Sequence, residues 1–263
     1  MTGYLLKKNN MKFIALNYNY NLDKMSDIGR KWAYDVYKNN DFISEYSAAS
    51  YATFIDKNKN SILHLYTDDI DNMKSKLSKY NIEHDRITYM DYSENLKQYD
   101  ESLNYSFTIL NDFINYAKSE NEYTVKIDND LIFKSELPRF DENSILVWKY
   151  ERLVKNGDIR WGEIKICENV LGDTNFKVYN LGLFGLPANY EKHEAKKVME
   201  DMISVDISDV TDVDSKIYHC CEQTANNWIF HKKNYHVIET HQYVDHLFEN
   251  KGECINRAKY LLK

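Results

Sequence analysis

The sequence predicts an α/β protein with a mostly parallel, doubly wound sheet, and three observations carry that prediction. Short apolar runs of strand length alternate with amphipathic helical stretches through the first half. Polar and acidic residues gather where those strands run out, at residues 18 to 21, 67 to 69 and 128 to 130, and open α/β sheets bind ligands beyond the carboxyl ends of their strands. The second half changes character, to short strands separated by charged loops.

The elements follow in order. MKFIALNY (11 to 18) is the first strand, and SDIGRKWAYDVY (26 to 37) reads as a helix with Ser26 as N-cap and Ile28, Trp32, Ala33 and Val36 on one face. NSILHLYTDD (60 to 69) is the next strand; Ile70, Met73 and Leu77 then recur at helical spacing, and RITYM makes a weak strand. Leu103, Phe107, Leu110, Ile114 and Ala117 keep the rhythm of a helix packed on a sheet. TVKI follows and ends in Asp128. Beyond it, ILVWKY (145 to 150), GEIKIC (162 to 167) and VYNLGLFG (178 to 185) read as strands. A helix with Ala195, Val198, Met199 and Met202 inward comes next, and a further helix is expected through EQTANNWIF; the tail HVIETHQYVDHLFENKG has no clean period.

Composition narrows the function. At 263 residues the chain can bury a sizeable core. No apolar stretch approaches the roughly 20 residues of a membrane span, and MTGYLLKKNN lacks the apolar core of a secretory signal, so a cytoplasmic location is expected. Of the four cysteines, Cys220 and Cys221 are adjacent while Cys167 and Cys254 lie far away; this fits neither a zinc spacing nor a disulfide framework, and free thiols are expected. A formal charge of -7 leaves no basic stripe, so no nucleic-acid partner is expected. A polyanionic ligand would need a local device such as a metal ion. With only eight glycines, those present are expected where a side chain is not tolerated.

The segment TVKIDNDLIF (124 to 133) places two aspartates between apolar runs. One reading is an acidic turn. The other is a divalent cation, because paired carboxylates at a strand end suit Mg²⁺ or Mn²⁺ and the ion in turn neutralises nucleotide phosphates.

VKIDNDLIF resembles the h-h-D-x-D-h-h signature of GT-A glycosyltransferases. Three further segments follow in that family's order: YNLGLFG (179 to 185) is similar to the N-x-G segment of the sugar pocket, CEQTANNWIF (221 to 230) to an acidic-Gln helix start, and HLFENK (246 to 251) to a late His…Lys element. The resemblance implies a GT-A fold: a Rossmann-like, mostly parallel sheet flanked by helices, with a mixed or antiparallel acceptor-side half. It implies one catalytic domain over 1 to 263, with a nucleotide-binding half (1 to 133) and an acceptor-side half (134 to 263) that includes a metal- and phosphate-binding tail. The implied activity is transfer of a sugar from a nucleoside-diphosphate donor, expected to be UDP-linked, to a hydroxyl of a glycan or protein acceptor, with Mn²⁺ or Mg²⁺ as cofactor.

Carried over by position, the resemblance implies metal ligands Asp128, Asp130 and His246, with Asp128 and Asn129 also on the donor side and Lys251 facing the diphosphate. For His246 the alternative is a surface or packed histidine, and His236 and His241 are neighbours that could take the ligand role instead. Asn180 and Gly182 would line the sugar pocket; Gly185 would share that role, or the segment is a strand with a bulge. Tyr18 or Tyr20 would stack on the donor base and Asp68 would share its pocket, though ordinary loop aromatics serve as well in a chain with 22 tyrosines. Glu222 and Gln223 would be the catalytic pair, Glu222 as general base or positioning group; a carboxylate in a first helical turn is also simply good capping chemistry. Trp148, Arg160 and Trp161 are candidate acceptor contacts, with a core role as the alternative for Trp148. The helix before the D-x-D strand offers only Lys118 for the diphosphate. A metal-dependent nucleotidyltransferase is the rival enzyme class, disfavoured because LNYNYNLDK has no glycine for a phosphate loop; a non-catalytic nucleotide-sugar or glycan-binding module is the third reading.

Overall fold

The computed structural model describes residues 11–18, 40–82, 84–97, 105–138, 140–156, 162–209, 221–247 and 250–263, without the side chains of 40–44, 105–108 and 221. The expected helix over 26 to 37, together with Tyr20, Leu103, Arg160, Trp161 and Cys220, lies outside the described residues.

Four strands build the parallel part of the sheet. These are β1 (Met11–Asn17), β2 (Leu63–Thr67), β3 (Ile87–Asp91) and β4 (Tyr123–Ile127), in spatial order β3-β2-β1-β4. Every residue of β4 is buried, which is the expectation for a strand covered on both faces. Three strands from the second half complete a seven-stranded sheet. β7 (Lys177–Leu186) runs antiparallel to β4, β6 (Ile145–Leu153) antiparallel to β7, and β8 (Val237–Glu239) parallel to β6. Thus β7 alone runs against the other six. A two-stranded antiparallel sheet joins β5 (Leu131–Phe133) to β9 (Val244–His246). This is the expected α/β organisation.

The helices are α1 (Asn40–Lys57), α2 (Ile70–Leu77), the single-turn α3 (Ser93–Leu96), α4 (Tyr105–Ala117), α5 (Glu163–Leu171), α6 (Lys192–Ile203), α7 (Cys221–Lys232) and α8 (Gly252–Leu261). No apolar stripe announces α1 because it is wrapped on nearly all sides. Tyr46, Ala48, Ala49, Tyr51, Ala52, Phe54 and Ile55 are fully buried, and so are Ser47, Ser50 and Thr53 between them. The Phe54 ring sits between Phe13 of β1 and Phe133 of β5, at centroid distances of 4.9 and 5.2 Å.

One expected element is corrected. GEIKIC is not a strand but the start of α5. Its charged and apolar residues alternate like a strand, but the buried Glu163, Ile166 and Cys167 share one face with Val170, at helical spacing. Gly162 before the helix and Gly172 after it both adopt φ 67°, the left-handed conformation, and Gly172 N–H closes the last turn onto the carbonyls of Cys167 and Glu168. The tail without a clean period contains β8 and β9 and ends where α8 begins. Among the described residues no helix is long and apolar enough to cross a membrane.

Candidate active site

The end of β4 organises the site. Because β4 is central, its acidic tip is bordered by β7 on one side and by the small sheet beyond it. Asp128 N–H donates to the Gly182 carbonyl of β7 (2.9 Å), and Ser50 Oγ of α1 donates to the Asp128 carbonyl (3.3 Å). Three residues on, Leu131 of β5 pairs with His246 of β9, and Leu247 N–H donates to the Asp130 carbonyl (3.0 Å). This short antiparallel pair carries the imidazole to the aspartates across more than a hundred residues of sequence.

Asp128, Asp130 and His246 each offer a ligand atom within 4.8 Å of the others. His246 Nε2 lies 3.0 Å from Asp130 Oδ1, and Lys251 Nζ, at the start of α8, lies 2.5 Å from Asp130 Oδ2. Burial pushes the Asp130 carboxyl up, but Lys251 and His246 outweigh it and hold the group far below the usual carboxylate range. Burial likewise lowers His246, and the Asp130 charge more than reverses that, so its pKa rises. Two carboxylates and an imidazole are a sound oxygen-and-nitrogen set for Mn²⁺ or Mg²⁺, so the residues present fit a divalent cation.

Packing holds the imidazole where it is. The Trp148 ring meets His246 edge-on (centroids 5.1 Å apart, planes at 88°), and its indole N–H donates to the Val244 carbonyl (2.9 Å). A Cβ at Gly182 would lie 2.7 Å from His246 Cε1 and 2.9 Å from Nδ1. The glycine is therefore required by the histidine itself. Gly185 has a different neighbour set, since a Cβ there would collide with Tyr123 and Leu146 inside the sheet.

A second group of side chains forms around Glu151. Its Oε1 accepts from Asn180 Nδ2 (2.8 Å), and its Oε2 accepts from Gln223 Nε2 (2.9 Å) and from Arg152 Nη1 (2.9 Å). Asn180 Oδ1 in turn accepts the Gly182 N–H (2.9 Å). The β6–β7 register shifts between Tyr150 and Arg152, so Glu151 is the extra residue of a bulge, a device that re-aims a side chain. Arg152 also grips the buried Glu163, which accepts from Thr224 Oγ1 as well (2.8 Å).

Glu222, in the first turn of α7, is 4% exposed, and its Oε1 has no hydrogen-bond partner. Burial raises its carboxyl to about 7; the nearby Lys126 pulls the other way and Asp128 adds to the rise. Lys126, inside β4, contacts Asp128 Oδ1 at 2.7 Å and donates to the Leu181 carbonyl (3.3 Å). Its charge survives burial because Asp128 and Glu222 raise its pKa by more than desolvation lowers it.

The structure thus brings Asp128, Asp130, His246, Lys251, Gly182, Asn180, Glu222 and Gln223 to one end of the sheet. Other sequence candidates sit elsewhere or play other parts. Tyr18 is buried with Leu16, Tyr66, Tyr92 and Phe113. Asp68 follows β2, next to Asp69, which caps α2. Asn129 occupies the turn between the aspartates. Lys118 is buried, its ammonium bonded to the carbonyls of Ser119 and Ala188. His236 contacts Ser144 and His241 lies near Glu239, so neither belongs to the Asp128 cluster. Sequence reasoning missed Lys126 and Glu151. The signal for Lys126 was available, a charge inside an otherwise uncharged buried strand; that for Glu151 was not, because it depends on the bulge.

No family model and no curated protein matches the chain. Among solved structures it is similar to a galactosyltransferase, LgtC, determined with donor and acceptor sugar analogues (9% identity, 81% of this chain and 70% of that one, TM-score 0.44). It is also similar to mouse xyloside xylosyltransferase 1 (12% identity, 87% and 84%, TM-score 0.47). A third likeness is to the glycosyltransferase GlyE of Streptococcus pneumoniae, of which the chain spans about half the length (10% identity, 96% and 51%, TM-score 0.43). All three are glycosyltransferases.

Proposed function

We propose that this chain is a metal-dependent glycosyltransferase that moves a sugar from a nucleoside-diphosphate donor, UDP-linked in our reading, to a hydroxyl of a glycan or protein. The observation that carries the proposal is the convergence of Asp128, Asp130 and His246 at the end of a central strand, with Lys251 beside them. Chance acidic turns do not recruit a buried imidazole and an ammonium from the far end of the chain.

In this reading Asp130 and His246, with Asp128, would hold the cation, and Asp128 would also serve the donor's ribose or sugar. When bound, a divalent cation stabilises the negative charge that develops on the diphosphate as the glycosidic bond breaks. Lys251 turns its ammonium to the same phosphates, as a point charge on a flexible stem. Asn180 and Gln223, tied together through Glu151, orient sugar hydroxyls. Glu222, with its carboxyl near 7, exchanges a proton with the acceptor hydroxyl at neutral pH. The chain acts as one catalytic unit, its two halves joined through the β4–β7 ladder.

A thermal-shift screen of nucleotides, with and without Mn²⁺, tests the donor class. UDP with Mn²⁺, at about a hundred times its dissociation constant, is expected to raise the melting temperature by roughly 5 °C or more, with UDP alone giving little. A response to ATP or CTP in place of UDP would favour a nucleotidyltransferase.

A further inference from the structure

Lys126 is the one charged residue of β4, and it is 2% exposed. Its backbone pairs with Ile14 of β1 on one side and Phe184 of β7 on the other, so the side chain emerges among apolar neighbours. An ammonium buried there is tolerable only if its charge is met. It is met by Asp128 Oδ1 at 2.7 Å and the Leu181 carbonyl at 3.3 Å.

The same pattern holds two residues along, where Lys251 lies on Asp130. Each aspartate of the D-x-D motif is therefore matched by a lysine, and the two negative charges offered to a dication are offset before it arrives. Lys251 stands at the N-cap of α8, whereas Lys126 lies within the central strand β4.

We propose that Lys126 is a positioning residue with two effects: it fixes Asp128, and its permanent positive charge keeps the free site from retaining a divalent cation, so that the cation enters together with the nucleoside diphosphate. This rests on the donor-binding reading above. The diphosphate supplies the negative charge that Lys126 has cancelled. Cation and nucleotide must then raise each other's affinity by the same factor, and Lys126 makes that factor large.

Electron paramagnetic resonance of free Mn²⁺ measures the affinity of the full chain for Mn²⁺, alone and with saturating UDP. For the wild type, binding about a hundredfold tighter with UDP is expected. Lys126→Met keeps length and loses charge, and should bind Mn²⁺ alone about tenfold tighter than wild type, shrinking the coupling factor. Lys126→Arg keeps the charge and should retain the wild-type pattern, which a merely structural role for the side chain would not require.

The inference is overturned if wild type binds Mn²⁺ equally well with and without UDP, a comparison that needs no variant, or if Lys126→Met leaves the Mn²⁺-only affinity unchanged. Calorimetry showing no UDP binding at all, with Mn²⁺ present, would instead remove the donor reading, and this inference with it.

Discussion

At the scale of single residues, the site depends on how closely groups are allowed to approach. Gly182 has no Cβ because the His246 ring fills that space, so Gly182→Ala must push the imidazole away from Asp130. We expect at least a tenfold loss of Mn²⁺ affinity in the presence of UDP, measured by calorimetry. Glu222 gives a pH signature. Its carboxyl titrates near 7 in the folded chain and near 4.5 when unfolded, so between those values the native state binds more protons. Its contribution to stability therefore falls as pH rises from about 4.5 to about 7. Glu222→Gln removes that dependence and should gain on the wild type, by up to roughly 3 kcal/mol, on going from pH 5 to pH 8. Urea denaturation of both proteins at the two pH values checks it; equal differences at pH 5 and pH 8 would refute it.

At the scale of elements, the strands that carry the site were legible and the pieces that complete it were less so. The runs around Phe13, Leu65 and Val125 are short, apolar and bounded by polar residues, and β1, β2 and β4 follow them closely. α1 was invisible because its small and aromatic residues are buried all round, leaving no polar face to set a period. α5 misled because four alternating residues fit either period, and Gly162 and Gly172, which bracket the helix, are informative only once their left-handed backbone is known. That conformation yields a clean prediction at Gly172, where a Cβ would touch nothing within 4 Å. Gly172→Ala should cost about 1 kcal/mol by backbone strain alone, read from chemical denaturation. Phe54→Ala in α1 opens a cavity between Phe13 and Phe133 and should cost about 3 to 5 kcal/mol.

At the scale of the whole molecule, sequence order and spatial order diverge most where the chemistry is. Asp128 and Asp130 could be found because the motif is local, and His246 and Lys251 because a resemblance supplied their place in a tail whose own pattern was mute. The joining of these segments is a property of the topology: β4 in the middle of the sheet, β7 reversed beside it, and β5 paired with β9. The same topology sets Lys126 under Asp128 and Glu222 near both, couplings that no spacing in the sequence reveals.

The central claim is that this convergence holds a cation for a nucleotide-sugar donor. The most direct measurement is hydrolysis and transfer from UDP-sugars with Mn²⁺ present, comparing the wild type with Asp130→Ala, each checked by circular dichroism. The account predicts a folded variant whose turnover falls by at least about a hundredfold. A folded Asp130→Ala protein that turns over the donor at the wild-type rate would contradict it.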